Sequence, residues 1–469
     1  MSSQFLTVLF GKIFGAIASI ALIRYLGAER QGIYSYILSV VYIFGFFSDF
    51  GINKFLTREV RISGEKGREI FGNGLFVQII QVLLSILLVN IYVFVFELNE
   101  GIRNELLLAS VVLNLGYLTH PFIAVLNSYE KMYFSGLATA LTSIFNAILI
   151  FFAIYLKLPI TGIFIILGIS NTLNIIMSAV LSIRFTIRPL FDIKWEKIKF
   201  IIRGCLPFVA IGLFSSFYAK VDVLILYKMK PAAEVGYYTA PLKIIEMLIA
   251  LLSMIALPFY PRLSYIINKK SKEEAIRVIN LSIKYLIGLV APFALMVTMF
   301  NYDYTMLLFG EEFIKSRYAF AVIIWAIFVM SMFSIGTHAL NAARLSRFIV
   351  YFYAAAGIID VILNVIFIPK YSYLATSVIL IITNLFIALC VLITVSRKIG
   401  RISLGGTLTK LIISLLPVFI FWYFTEGKSG YIVLSISGII IYGISVFATR
   451  YIDSNDIRKL KSIFAKAES

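Results

Sequence analysis

Apolar residues run along this chain in long unbroken stretches, not in the alternation of a half-buried strand. Charged residues or Gly, Pro and Asn bound each run. About 20 consecutive apolar residues suffice for a helix to cross a bilayer. The pattern predicts fourteen spans, at roughly 5–27, 33–55, 70–96, 104–128, 133–155, 160–183, 202–227, 235–260, 278–301, 317–340, 346–369, 373–396, 404–425 and 430–451. A barrel strand would be about half as long and would alternate. The expected class is therefore an all-α polytopic membrane protein. Met1-Ser2-Ser3-Gln4 carries no basic segment, and no small-x-small site follows, so the first span is not expected to be a cleaved signal peptide.

Composition agrees with this pattern. Of 469 residues, 61% are hydrophobic and 14% charged, with mean hydropathy +0.95. Soluble domains run near 45–50% apolar and about 25% charged. A soluble enzyme, a DNA-binding protein and a secreted disulfide scaffold are excluded.

The net charge of +18 would suggest a nucleic-acid partner in a soluble chain. Here it sorts by loop. Even-numbered loops and the C-terminal tail hold 26 of the 42 Lys and Arg, and odd-numbered loops hold 9. Basic residues concentrate on the cytoplasmic side. The even side and both termini are thus expected to be cytoplasmic, in the cell membrane, and no nucleic acid is needed to explain the charge.

Little soluble chemistry is legible. Cys205 and Cys390 sit in apolar runs and read as packing residues. His120 and His338 are too few for a metal cluster. No Gly-rich loop ends in Gly-Lys-Ser/Thr, so the chain is not by itself an ATP-driven pump. The longest connections, near 184–201 and 261–277, leave no room for a catalytic outer domain, which argues against a polysaccharide polymerase or ligase. No catalytic residue, metal or cofactor is expected.

The chain is doubled. Arg24 through Tyr34 and Lys228 through Tyr238 each place a basic residue eight positions before a Gly-x-Tyr, at an offset of 204. A weaker echo relates Asn146 to Asn364 and Asn171 to Asn384. The repeat predicts two pseudo-symmetric six-helix bundles, 1–190 and 191–400, with two further helices and a tail at 401–469. Paired bundles of this kind usually hold a cavity that opens alternately to each side.

Ionisable residues inside spans are the sharpest site signal, because each costs several kcal/mol unless solvated or paired. Lys54, Asp49, Lys410 and Lys284 lie near helix ends, where a structural role suffices. Lys12, Lys220 and Lys243 are deeper, and Arg24 lies near the outer end of the first span. Lys220 and Asp222 would be about 200° apart on one helix, whereas Lys243 and Glu246 share a face. Basic residues gathered in spans one, seven and eight suit an anionic substrate such as a phosphate or pyrophosphate. Asp360 has no basic neighbour on its helix and is either a proton or Na⁺ site for coupling or a carboxyl kept protonated by burial. Tyr34, Tyr218, Tyr237 and Tyr238 would either stack on sugars or form an interfacial belt.

An ordered set of short stretches carries a family resemblance. It comprises Arg24-Tyr25-Leu26-Gly27 with Gly32-x-Tyr34, Asp49-Phe50-Gly51 running to Thr57-Arg58-Glu59, and Lys194-Trp195 through Gly204-x-x-Pro207. Asp222 with Gly236-x-Tyr238, Leu257-Pro258-x-x-Pro261-Arg262-Leu263-Ser264, Phe309-Gly310-Glu311-Glu312-Phe313 and Asn364-x-x-x-Ile368-Pro369 follow in order. The set resembles the polysaccharide-transport family, the Wzx-type lipid-linked oligosaccharide flippases, whose superfamily also holds MATE drug exporters and lipid II flippases.

The resemblance covers nearly the whole chain. It implies a MATE-like fold and transfer of a polyprenyl-pyrophosphate-linked oligosaccharide to the outer leaflet by alternating access. It implies that Lys12, Arg24, Lys220 and Lys243 meet the pyrophosphate or acidic sugars. Asp222, Glu246 and Asp360 would balance charge or couple to H⁺ or Na⁺, although Asp360 falls outside the family's pattern. Membrane lipids and glycan-assembly enzymes are the implied partners. The alternatives are an ion-coupled exporter of organic cations, which would want an acidic cavity, and a scaffold for glycan enzymes.

Overall fold

The computed structural model describes residues 2–97, 99–256, 259–268, 271–425 and 430–453, and among them every regular element is helical. The Leu257-Pro258 pair of the motif ending at Ser264, and the tail beyond 453, lie outside the described residues. Backbone contacts divide the chain into two compact units, with the boundary between Thr239 and Ala240.

The first unit contains α1 (Ser2–Asp49), α2 (Ile52–Ile62), α3 (Gly67–Phe96), α4 (Glu100–Leu115), α5 (His120–Ser128), α6 (Met132–Tyr155), α7 (Ile160–Phe185), α8 (Trp195–Tyr218) and α9 (Val221–Met229). It ends inside α10 (Ala232–Ala256). The second unit continues with α11 (Phe259–Asn268), α12 (Lys272–Met299), α13 (Asn301–Phe309), α14 (Ser316–Ala342), α15 (Ser346–Lys398), α16 (Gly405–Thr425) and α17 (Tyr431–Ala448).

Among the described residues, eleven helical stretches are long and apolar enough to cross a membrane. Two of them are far too long for one crossing, at 52 residues (Gly11–Ile62) and 53 residues (Ser346–Lys398). A straight helix of that length would reach about 78 Å at 1.5 Å per residue, more than twice a ~30 Å hydrocarbon core. The first bends sharply at Gly27 (φ 69°, ψ 175°) and breaks again at Phe50–Gly51, and the second bends at Ser372 (φ 50°, ψ −136°). The kinks at Gly27 and Ser372 fall where the hydropathy pattern expects the turns between spans one and two and between eleven and twelve. Glycine at 27 suits the positive φ, which carries no Cβ penalty there.

The seventh span departs from expectation. Its helix breaks between α8 and α9, and Lys220 sits at the break with φ −141°, ψ −5°. The 200° separation from Asp222 expected for a continuous helix therefore does not apply.

Burial is organised as lipid solvent demands. In the first unit Leu22, Tyr36, Val40, Val93, Leu106 and Phe164 form the core around α1, while Phe94, Phe96 and Tyr155 are exposed. Some polar groups inside pair across helices, because unsatisfied ones are costly without water. Ser48 and Ser85 both donate to Asn114 Oδ1, at 2.7 and 2.8 Å. In the second unit α14 packs on α15 and α12. Phe300, Val418, Trp422 and Leu434 tie α16 and α17 to the end of α12. Cys205 is buried and Cys390 half-buried, both as free thiols in packed surroundings.

The long connection before α8 is fastened to α3. Leu190 N donates to Arg68 O at 2.9 Å, and Arg68 Nε to Arg188 O at 3.3 Å. Lys197, in the first turn of α8 ahead of the span, donates to Asp192 at 2.6 Å and also to Glu69. The hydrogen bond from Lys197 holds the Asp192 carboxyl below its ordinary range. Hydrogen bonds to Asp192 and Glu69 hold the Lys197 ammonium above its own.

The sign follows from linkage. The Asp192 contribution is present above its unfolded pKa near 4 and is lost as pH falls through the lowered folded value. The Lys197 contribution is present below about 10.4 and is lost as pH rises through the raised one. Lys197→Met is thus expected to speed hydrogen exchange of the 186–194 backbone severalfold, by the same factor at every pH from about 5 to 9. An effect confined to one end of that window would contradict the three-way tie.

Candidate functional site

Each intramembrane charge can now be placed. Lys12 and Arg24 are exposed on α1. Lys220, half-buried at the α8–α9 break, holds its Nζ 5.8 Å from the centroid of the Tyr42 ring. Asp222 is only 5% exposed and accepts a 2.5 Å hydrogen bond from the Tyr238 hydroxyl and one of 2.7 Å from Val223 N. In the second unit Lys243 donates to Glu246 at 3.1 Å, with the two side chains 41% and 37% exposed. Asp360 is 3% exposed and accepts from Asn364 Nδ2 at 3.1 Å.

The i, i+3 pairing of Lys243 with Glu246 is as expected. The bond from Asn364, four residues on along α15, gives Asp360 a partner that the sequence reading did not name. Tyr238 is neither an open sugar platform nor part of an interfacial belt: it is fully buried and engages Asp222. Tyr34 stacks on Phe164 at 5.4 Å. His120 pairs with Asp49 at 2.9 Å beside the Phe50-Gly51 turn, where the positive φ of both residues ends α1.

An exposed ammonium near the middle of a span cannot face hydrocarbon without a cost of several kcal/mol. Lys243 is the twelfth residue of the 25-residue α10, and the Glu246 carboxylate one turn on supplies it with a counter-charge.

A second constellation lies where the segment around Gly32-x-Tyr34 meets that around Gly236-x-Tyr238. A Cβ on Gly32 would stand 1.8 Å from Ala232 O, and a Cβ on Gly236 would stand 1.9 Å from Ala28 O. Ala28 and Ala232 are separated by the same 204 positions as Gly32 and Gly236. The contact is therefore reciprocal: each copy's glycine receives the other's carbonyl. Ser35 Oγ donates to Thr239 Oγ1 at 2.9 Å, and that pair too is 204 apart. Small residues four apart permit such close helix approach.

A charged layer borders this crossing. Glu97, at the C-terminal cap of α3, is 6% exposed and accepts from Tyr36 OH and from Lys228 Nζ, each at 2.9 Å. The Tyr36 ring stacks on Tyr227, with centroids 3.8 Å apart and planes 8° apart. The basic–Gly-x-Tyr spacing marked this region, but the roles of Ser35, Thr239 and Glu97 were missed. The offset of 204 could have extended to Ser35 and Thr239. Nothing local in sequence joins Glu97 to Lys228.

The comparisons with known proteins follow the same lines. The sequence pattern of the family described as "Polysaccharide biosynthesis protein" matches residues 1–267. No curated protein sequence matches the chain. Among solved structures, the lipid II flippase MurJ in an inward closed conformation superposes with TM-score 0.79 at 13% identity, covering 95% of this chain and 98% of that one. An inward-facing multidrug resistance MATE transporter of the MOP superfamily gives 0.68 at 14% identity, covering 83% and 94%. A MOP superfamily transporter from Pyrococcus furiosus, described as having a binding pocket of reversed polarity, gives 0.59 at 13% identity, covering 84% and 96%. At these identities the likeness is one of fold. This chain is a multi-pass helical membrane protein of MurJ/MATE-like fold, and it belongs to the polysaccharide biosynthesis protein family.

Proposed function

We propose that the protein is a flippase that carries a polyprenyl-(pyro)phosphate-linked oligosaccharide from the inner to the outer leaflet of the cell membrane by alternating access, with both termini cytoplasmic. The observation that carries this reading is the polarity of the accessible intramembrane charges. Lys12, Arg24 and Lys243 are exposed or half-exposed cations. Asp222 and Asp360 are buried in hydrogen bonds, and Glu246 faces Lys243. A path that presents cations favours phosphate and acidic sugars over organic cations. An exporter of organic cations wants the reverse arrangement.

In this reading Lys12, Arg24, Lys220 and Lys243 contact the anionic headgroup in turn. Asp222, Glu246 and Asp360 balance charge or couple movement to H⁺ or Na⁺. Residues 1–190 and 191–400 are the two six-helix repeats, with 401–469 appended. The reciprocal crossing of Gly32 and Gly236 closes the outer end, and rocking of one repeat against the other opens it. Upstream glycan-assembly enzymes supply the substrate.

The test is flipping in proteoliposomes. A fluorescent prenyl-pyrophosphate oligosaccharide is followed by its accessibility to an external quencher, with and without H⁺ or Na⁺ gradients. Protein-dependent exposure of the glycolipid is the expected result. Gradient-driven export of cationic dyes with no glycolipid movement would replace the flippase reading by that of a cation exporter.

A further inference from the structure

Four cationic side chains and one carboxylate converge on a pocket in the second unit. The cavity, about 620 Å³, lies where the start of α12, the end of α15 and the start of α16 meet. Lys272, Arg277, Lys284 and Arg401 supply the positive charge against Glu273. We propose that this pocket binds the phosphate of an anionic phospholipid from the leaflet that surrounds it. The proposal is independent of the flippase reading and needs only that these helices span the membrane.

Four observations carry it. First, the cations are organised. Lys272, Ile276, Asn280 and Lys284 recur at four-residue steps and all line the cavity, so α12 offers it one face for about 18 Å of its length. Second, three of the four cations are unpaired. Among the described residues, no ion pair or hydrogen bond engages the side chain of Lys272, Arg277 or Arg401. Like charges held together repel unless an anion joins them.

Third, the height is right. α12, α15 and α16 are each long and apolar enough to cross a membrane. The pocket opens at their ends, where lipid phosphates lie. Guanidinium groups bind phosphate through paired N–H donors, and each Lys or Arg at an anionic surface strengthens attraction about fivefold.

Fourth, the wall beyond Lys284 turns apolar. One turn further along α12, Gly288 and Pro292 line a second cavity of about 360 Å³ with Tyr442 and Val446 of α17. The Tyr451 hydroxyl donates to Lys284 O at 2.5 Å, and the Lys284 Nζ stands 5.4 Å from that ring's centroid, so the two cavities share a border. A charged pocket that adjoins an apolar one fits a headgroup with its chain, not a free phosphate ion.

The experiment uses the full chain purified in neutral detergent. Phosphatidylglycerol and phosphatidylcholine are titrated separately and bound lipid is read by native mass spectrometry, with inorganic phosphate as competitor. The expected result is one retained phosphatidylglycerol, no comparable retention of phosphatidylcholine, and no displacement by millimolar phosphate. Arg401→Gln should weaken phosphatidylglycerol about fivefold, and Arg277→Gln with Arg401→Gln about 25-fold. Lys131→Gln, which removes a basic residue from another loop, should leave it unchanged.

Arg401 lies in the non-helical connection after α15, so its variant is a secure test even where the double variant folds poorly. Equal retention of the two lipids, full phosphatidylglycerol affinity in Arg401→Gln, or displacement by inorganic phosphate would each overturn the proposal. The assay involves no transport. A failed flipping measurement and a failed lipid site are therefore distinguishable.

Discussion

Alanine at Gly32 or Gly236 is expected to disfavour closure at the Gly32–Gly236 crossing and, with it, to slow transport. The added Cβ would stand 1.8 Å from Ala232 O or 1.9 Å from Ala28 O. Neither obstacle is the movable tip of a side chain; each is a helix carbonyl, so the helices themselves must separate. Overpacking of a tight contact costs about 1–3 kcal/mol, and here it is charged only to the closed arrangement. That shifts a closed–open equilibrium by roughly fivefold to 150-fold. Gly405, whose added Cβ would meet nothing within 4 Å, is the matched control and should tolerate alanine.

The readout is labelling from outside of a cysteine introduced at Ser35, protected in the parent and exposed in Gly236→Ala. A reversible variant removes any doubt about folding. Ser35→Cys with Thr239→Cys replaces two hydroxyls 2.9 Å apart, so oxidation should lock the outer end and arrest transport, and reductant should restore it. Parent-like transport in both glycine variants, together with an oxidised pair that still transports, would remove the crossing from the mechanism.

Lys12→Ala and Lys243→Ala are expected to lose transport while protein levels stay normal. A charge-assisted hydrogen bond to a phosphate contributes about 1.5–3 kcal/mol, so each loss should lower transport roughly tenfold to 150-fold. Stability should barely change. The Lys243–Glu246 pair is more than a third exposed on both sides, and pairs of that kind contribute about 0–1 kcal/mol.

Glu246→Gln separates the two roles open to the pair. If Lys243 serves the substrate, removing its partner's charge leaves the ammonium available and transport continues. If the pair only holds α10 in place, Glu246→Gln and Lys243→Ala should fail alike. Normal flipping in both lysine variants would dismiss the cationic site.

Much of the architecture was legible because its causes are local. A bilayer selects for apolar runs of fixed length, so the span pattern could be read by eye, including the turns that the structure shows as kinks at Gly27 and Ser372. The repeat was legible through Gly32-x-Tyr34 and Gly236-x-Tyr238, since glycine marks a place where nothing larger fits.

The site was less legible. Its charges could be enumerated, but a helical wheel gives the relative directions of side chains and not which direction is wet. Sequence alone left Asp222 and Lys243 equally plausible as open groups, although one is buried against Tyr238 and the other exposed beside Glu246. Lys220 was misjudged for a different reason. Its surroundings are apolar enough for an unbroken span, and the break between α8 and α9 carries no proline or glycine.

The amino-acid sequence by itself therefore determined the all-helical membrane class and the Gly-x-Tyr motifs paired at an offset of 204, because hydropathy, length and repetition are properties of consecutive residues. Only the tertiary structure decided that Ser35 meets Thr239, that Glu97 receives Lys228 from 131 positions away, and that three cations of one pocket make no ion pair among the described residues. Those facts depend on how each helix is rotated and where it bends. In lipid that is settled by close packing and by the pairing of polar groups between helices, which no single run of sequence contains.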